Sequence, residues 1–239
     1  MEITEITQRW IRGSLPEPFD PSWVPGGTQT DLTIDLFEVH TDAGATGVTA
    51  MPSFPGGLDL EHVFESQLVG EDPHEVERIL KLLESVEFLG ADAYYMEIAL
   101  WDIIGKSAGK PVYRLLGGDD RPVSVYASTG AIRPVEERLD YVEDRVAEGF
   151  EAVKLRFSAD DVETDLELAR AVREEFPDLT LMVDANNGWS MRLAGEMGGS
   201  WSLPRAKQVA HELESIGDIA WLEEPLPQNN YQRLRELRA

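Results

Sequence analysis

The sequence predicts an α/β protein, and two observations lead there. Residues 3–51 are β-patterned and give way to two stretches of helical spacing, 72–89 and 91–108; after Arg121-Pro122 the pattern changes to four strand–helix units in a row. Short apolar strands alternating with helices form parallel sheets buried on both faces.

The elements follow in order. Ile3 to His40 alternates polar and apolar residues around a Pro-rich interruption from Ser14 to Gly27, which predicts two strands joined by a long irregular loop. Thr41 to Gly47 reads as a turn with positive φ at both of its glycines, and Val48 to Met51 as the next strand. Asp72-Pro73 opens a helix whose apolar positions Val76, Ile79, Leu80, Leu83 and Val86 recur at three and four residues. The next helix, about Ala91 to Ala108, is apolar on most faces and is expected to be buried. In the second half, strands are expected at Val123–Ser128, Ala152–Phe157, Leu179–Asp184 and Ile219–Glu223. Helices are expected at Val135–Glu148, Val162–Phe176, Leu203–Ser215 and from Asn230 onward, with Met191 to Ser200 as a glycine-rich inserted loop.

Composition excludes several functions. The 239 residues carry 45 acidic against 21 basic side chains, a net charge of −24, no cysteine and 42% hydrophobic residues. That much apolar material is not a disordered acidic tail, and such a negative surface repels nucleic acid and anionic lipid headgroups. No nucleic-acid or membrane partner is therefore expected. The basic residues include only five lysines (Lys81, Lys106, Lys110, Lys154 and Lys207), and the carboxylates are spread along the whole chain. This resembles adaptation to concentrated salt, where charge self-repulsion is screened. No run approaches a membrane span and the N-terminus lacks a secretory apolar core, so a cytoplasmic location is expected. Without cysteine there is no disulfide, thiolate chemistry or Cys-based zinc site.

Parallel βα architectures place ligands at the C-terminal ends of their strands. Those ends carry Lys154-Leu-Arg156, Asp184-Ala-Asn186 and Glu223-Glu224-Pro225. Alternation puts Lys154 with Arg156, and Asp184 with Asn186, on the same side of their strands. Carboxylates on neighbouring strand ends suit a hard divalent cation such as Mg²⁺. A lone acid at such a junction also serves as a helix N-cap, and the two cations also serve as salt-bridge partners of those same acids.

With those residues in view, the chain resembles the mandelate racemase and muconate lactonizing enzyme family of the enolase superfamily. The resemblance rests on Met96 to Lys106 with Gly109 to Gly118, on Val183-Asp-Ala-Asn-Asn-Gly-Trp189 and on Trp221-Leu-Glu-Glu-Pro-Leu226, in the family's order. It implies an N-terminal α+β capping domain over residues 1–122, followed by an incomplete (β/α) barrel of about four βα units over residues 123–239. It also implies abstraction of a proton α to a carboxylate, with the resulting enediolate stabilised on Mg²⁺. By motif position Asp184 and Glu223 are the expected metal ligands. Lys154 lies near the substrate carboxylate, and Asn186 hydrogen-bonds a substrate hydroxyl. Pro16 to Gly27 and Met51 to Gly57 correspond to the capping-domain specificity loops, with Phe19 and Trp23 as lid residues or as an apolar plug between domains.

Two departures shape the functional expectation. Arg156 stands where the family has the second lysine of Lys-x-Lys, and arginine stays protonated, so it is an electrostatic partner and not a base. This, with Glu-Glu-Pro, tilts toward an acid-sugar (aldonate or aldarate) dehydratase and away from a two-base racemase. The family's third metal ligand and its base come from later strands, and a whole barrel takes ~250 residues. The expectation is thus a truncated chain, inactive alone and prone to homo-oligomerise through open sheet edges. The alternatives are a non-catalytic folding or oligomerisation module and a racemase or cycloisomerase of the same family.

Overall fold

A computed structural model describes residues 1–24, 27–53, 60–87, 94–158, 161–188 and 201–238. The chain forms two compact units, one of Met1–Ser14 with Asp31–Pro122, the other of Leu15–Thr30 with Val123–Ala239. The boundary between residues 122 and 123 coincides with the change of pattern in the sequence. The segment Leu15–Thr30, however, groups with the second unit.

The first unit holds a three-stranded sheet in the order β1 (Ile3–Phe19), β2 (Gln29–Thr41), β3 (Thr46–Pro52). Strand β1 runs on through the expected interruption at Ser14. The physical reason is position: β1 lies at the sheet edge, and Pro16 and Pro18, two residues apart, withhold their missing N–H groups from the same side of the strand. Strands β2 and β3 pair antiparallel from Ile34 opposite Pro52 to His40 opposite Thr46. In the turn between them only Gly44 has positive φ, at 77°. Gly47, expected to share it, is glycine for a different reason: a β carbon there would overlap the Ala99 carbonyl of the helix packed against β3.

Helix α1 (Leu60–Leu68) is absent from the sequence expectation; it buries Leu60, Phe64 and Leu68. Helix α2 (Val76–Glu87) begins later than Asp72, because Asp72 to Glu75 form a turn closed by the Glu75 N–H on the Asp72 carbonyl. Helix α3 (Tyr94–Ala108) buries Met96, Ala99, Leu100 and Ile103 but leaves Tyr94 and Ile98 half-exposed, so it is less enclosed than its composition suggested. A single turn, α4 (Val112–Leu115), follows. The core of this unit joins Ile3, Ile6, Phe37, Val39 and Met51 of the sheet to these helices.

The second unit is a four-stranded parallel sheet, β4 (Ala127–Ser128), β5 (Ala152–Arg156), β6 (Thr180–Asp184) and β7 (Ile219–Glu223), adjacent in sequence order. Helices α5 (Val135–Ala147), α6 (Val162–Glu175), α7 (Leu203–Ile216) and α8 (Tyr231–Arg238) follow the strands, giving the partial barrel architecture. Strand β4 is far shorter than expected: Val123 and Val125 are 83% and 66% exposed, on an edge with a neighbour on one side only. Val153, Leu155, Leu181 and Val183 bury themselves among Leu166, Ala169, Val172, Ala206 and Val209 of the helices. Asp161 and Ser202 cap α6 and α7 by accepting the backbone N–H groups of Thr164 and Arg205. The apolar alternation leaves Lys154, Arg156, Asp184 and Glu223 for the other face. The glycine-rich stretch Met191 to Ser200 and residues 54–57 of the second specificity loop lie outside the described residues.

Candidate metal and substrate site

Strand register brings the polar residues level. Arg156 on β5 is the partner of Asp184 on β6, and Asp184 is the partner of Glu223 on β7. One row lower, Ser128 pairs with Lys154. Residues 30 and 39 positions apart in sequence thus become neighbours across three strands.

The side chains use that proximity. The Lys154 ammonium lies 2.9 Å from Glu223 Oε2 and 3.7 Å from Asp184 Oδ2, and its nitrogen sits 5.4 Å from the centre of the Tyr126 ring. The Arg156 guanidinium spends every donor group. Nη1 reaches Asp184 Oδ2, Nε donates to the Thr129 carbonyl at 2.7 Å and Nη2 to Ser128 Oγ at 3.3 Å. Its flat face lies 5.1 Å from the Trp23 ring centre. Asp184 Oδ1 accepts the Asn186 backbone N–H at 2.9 Å. Trp221 donates its indole N–H to Glu223 Oε2 at 3.1 Å and meets Tyr126 edge-on at 5.6 Å.

Backbone conformation supports this cluster. Asn186 and Glu224 both have φ of 50°, one just beyond β6 and the other just beyond β7. Asparagine adopts the left-handed region readily; for glutamate ahead of a proline it is uncommon and marks a constrained turn. Gly188 leaves the room that Glu224 occupies, since a β carbon there would come within 2.8 Å of Glu224 Cδ. The ladder continues past the strands through Ala185 N–H to Glu223 O and Asn187 N–H to Glu224 O, both 3.0 Å.

Electrostatics follow from burial and pairing. Burial raises the Asp184 carboxyl above the ordinary range, against the opposing pull of the Asn186 N–H and the Arg156 guanidinium. For Glu223 burial also acts upward, but the hydrogen bonds from Lys154 and Trp221 outweigh it and the pKa falls. Burial disfavours the Lys154 ammonium, yet the bond to Glu223 prevails and its pKa is raised. Lys154 is therefore held protonated, as a cation and not as a base.

The segment Leu15–Thr30 reaches the same strand ends. Ser22 Oγ donates to Asn186 Oδ1 at 2.7 Å, Pro21 bridges to Ala131, and Phe19 sits 5.8 Å from the Trp23 ring against Gly130. All seven residues singled out from the sequence thus gather at one end of this sheet. Sequence reasoning passed over Tyr126, Trp221, Ser22, Ser128 and Thr129. Alternation offered a signal for two of them: Tyr126 precedes Ser128, and Trp221 precedes Glu223, by two residues on the same strand face.

The donor set fits a hard divalent cation. Asp184 and Glu223 are oxygen donors on adjacent strands, and both already turn an oxygen toward one ammonium nitrogen. Mg²⁺ is commonly held by one or two carboxylates with waters and substrate completing its shell. Among the described residues no group of three or more Asp, Glu or His side chains converges on a point.

A parallel βα sheet with paired carboxylates and cations at its strand ends, preceded by an α+β domain, defines a metal-dependent enzyme of the incomplete-barrel type. Residues 13–117 match the mandelate racemase/muconate lactonizing enzyme N-terminal domain, and residues 137–239 the enolase C-terminal domain-like family. The chain belongs to the mandelate racemase/muconate lactonizing enzyme family of the enolase superfamily. It is 37% identical to arabinonate dehydratase of Saccharolobus solfataricus over 85% of the chain and 55% of that protein. It is 30% identical to D-galactarolactone cycloisomerase of Agrobacterium fabrum over 100% of the chain and 62% of that protein. The chain thus spans little more than half the length of these curated relatives. Among solved structures it resembles a dipeptide epimerase from Enterococcus faecalis complexed with Mg and a dipeptide, with a TM-score of 0.80 at 22% identity over 99% of the chain and 65% of that protein. Relatives in the superfamily include acid-sugar dehydratases, cycloisomerases, racemases and epimerases.

Proposed function

We propose that this chain is the capping and metal-binding portion of a Mg²⁺-dependent acid-sugar dehydratase that acts on an aldonate or aldarate. The observation that carries the reading is the level pairing of Asp184 with Glu223 beside Lys154 and Arg156. The 37% identity to an arabinonate dehydratase supports the dehydratase class.

In this reading Asp184 and Glu223 hold the metal, which when bound supplies positive charge to the substrate carboxylate as the α-proton leaves. Lys154, protonated and buried, meets that carboxylate. Asn186 offers its amide to a substrate hydroxyl, and Trp23 and Phe19 cover the site. Dehydration breaks the Cα–H and Cβ–O bonds and releases water, so it needs one base for the proton and one acid for the hydroxyl. Neither Lys154 nor Arg156 can be that base, since both are held as cations. The one histidine of the second unit, His211, lies exposed on α7 and paired with Glu214. The chain alone is therefore proposed to bind metal and substrate without turning substrate over, and to reside in the cytoplasm. Among the described residues no helix is long and apolar enough to cross a membrane. Its carboxylate-rich surface is proposed as a salt adaptation.

Titration of the full chain with Mg²⁺ and then with aldonates, aldarates, N-acylamino acids and dipeptides tests this. Mg²⁺-dependent binding of polyhydroxy acids in preference to the other two classes, without release of a 2-keto-3-deoxy acid, is the expected result. Preference for an amino-acid derivative would overturn the substrate class, and turnover would overturn the incomplete-site reading.

A further inference from the structure

Both oxygens of Asp184 are already engaged. Oδ1 takes the Asn186 N–H and Oδ2 takes Arg156 Nη1. A divalent cation reaches this carboxylate in full only by displacing the guanidinium, because two cations sharing one oxygen repel each other. Arg156 is not a loosely held counter-ion. Its side chain is nearly buried, its Nε is fixed on the Thr129 carbonyl, and Trp23 lies across its face. A cation over an indole ring is attracted electrostatically and is better held when desolvated. Trp23 in turn belongs to a segment fastened next door by Ser22 on Asn186 and by the Pro21–Ala131 bridge.

We propose that Arg156 is a built-in counter-ion of Asp184, latched in place by Trp23, so that a divalent cation at Asp184 and Glu223 and the seated Leu15–Thr30 segment oppose each other. The proposal rests on the metal-site reading above and deepens it. Its content is a linkage: whatever Trp23 does to cation affinity, the cation must do in equal measure to the seating of Trp23. Arg156 acts here as a positioning residue. Lysine in its place would keep the charge but lose the fork that spans Asp184, Thr129 and Ser128, and the flat face that Trp23 covers.

The test uses the full chain and Mg²⁺ alone as probe, in two measurements. Calorimetric titration compares wild type with Trp23→Ala, Trp23→Phe, Arg156→Met and, as a control that leaves the ring in place, Ser22→Ala. Chymotryptic cleavage after Phe19 reports on the segment with and without Mg²⁺. Coupling of this kind typically amounts to about 5- to 150-fold, so Trp23→Ala and Arg156→Met are expected to bind Mg²⁺ at least about fivefold more tightly. Trp23→Phe is expected to fall between wild type and Trp23→Ala, and Ser22→Ala to gain less than Trp23→Ala. Saturating Mg²⁺ is expected to speed cleavage after Phe19 in wild type and not in Arg156→Met. Mg²⁺ binding that is unchanged or weaker in Trp23→Ala, or cleavage that slows with Mg²⁺, overturns the latch while leaving the metal site standing. No Mg²⁺ binding by wild type or by Arg156→Met overturns both.

Discussion

Lys154 lies between Asp184 and Glu223, 3.7 Å from one carboxylate and 2.9 Å from the other, on a strand that pairs with the strand of Asp184 but not with that of Glu223. It reaches across β6 to do so. One ammonium thus reports that two acids on neighbouring strands aim at a common space.

That geometry makes the two carboxylates jointly responsible for cation affinity. Asp184→Asn and Glu223→Gln keep side-chain volume and remove one negative charge each. Each is expected to weaken Mg²⁺ binding by about 100-fold, the scale on which even supporting residues of metal sites act at their upper end. Calorimetric titration measures it, and affinity within a few-fold of wild type for either variant would rule that residue out as a ligand. Circular dichroism of the variants checks that the fold survives.

Salt offers a separate test of the surface charge. With a net charge of −24, folded and compact carboxylates repel one another more than those of the unfolded chain do. The screening length falls from about 30 Å at about 0.01 M to about 3 Å at 1 M salt. The thermal midpoint is therefore expected to rise steadily with KCl over that range, by roughly 5 °C or more if ΔΔG is on the order of 1–2 kcal/mol. A midpoint that is flat or falling with KCl would contradict salt adaptation.

Asp165 supplies the pH dependence. It sits on α6, 5% exposed, with its Oδ2 accepting the Ser158 N–H at 2.6 Å. Burial lifts its pKa from 3.8 to about 7, with a smaller push from Asp161, while the Ser158 N–H acts against the rise. Between about pH 4 and about pH 7 the folded chain keeps a proton that the unfolded chain has released, so the stability this group contributes is whole below that window and lost as pH rises through it. At 1.36 kcal/mol per unit the loss is on the order of 4 kcal/mol. Asp165→Asn keeps an oxygen for the Ser158 N–H and cannot ionise. Urea unfolding at about pH 5 and about pH 8 should therefore show a gap between variant and wild type that opens in the variant's favour at the higher pH. An equal gap at both pH values would refute the assignment.

The metal-site residues were legible in the sequence because strand alternation is local: Asp184 and Asn186, or Lys154 and Arg156, need only a period of two to share a face. Their levelling across three strands was legible through the spacing of βα units. The seat of Trp23 on Arg156 was not, since residues 133 positions apart meet only after the sheet has formed, and no periodicity encodes that contact. Helix α1 is a different case. Its stripe of Leu60, Val63, Phe64 and Leu68 is present in the sequence, but the Pro-Gly-Gly run just before it reads as a loop and masks a helix of only nine residues. The brevity of β4 was hidden because Val123 and Val125 carry a strand pattern whose pairing depends on a second neighbour.

The two glycines of the β2–β3 turn separate two physical roles that the sequence runs together. Gly44 has φ of 77° and open space where a β carbon would sit, so Gly44→Ala is strained only by its backbone, at a cost of about 1–2 kcal/mol. Gly47 has no such φ, but a β carbon there would meet the Ala99 carbonyl and come within 2.8 Å of Ile103 Cγ1. The obstacle includes helix backbone, which cannot rotate aside as a side-chain end can, so α3 must move off β3 and open the packing around Ala99 and Ile103. Overpacking of this kind costs about 1–3 kcal/mol and occasionally more. Gly47→Ala is therefore expected to be the more damaging of the two, by urea denaturation of the full chain, although Gly44 is the one with the left-handed backbone. The reverse order would show that α3 does not approach β3 as closely as Gly47 permits.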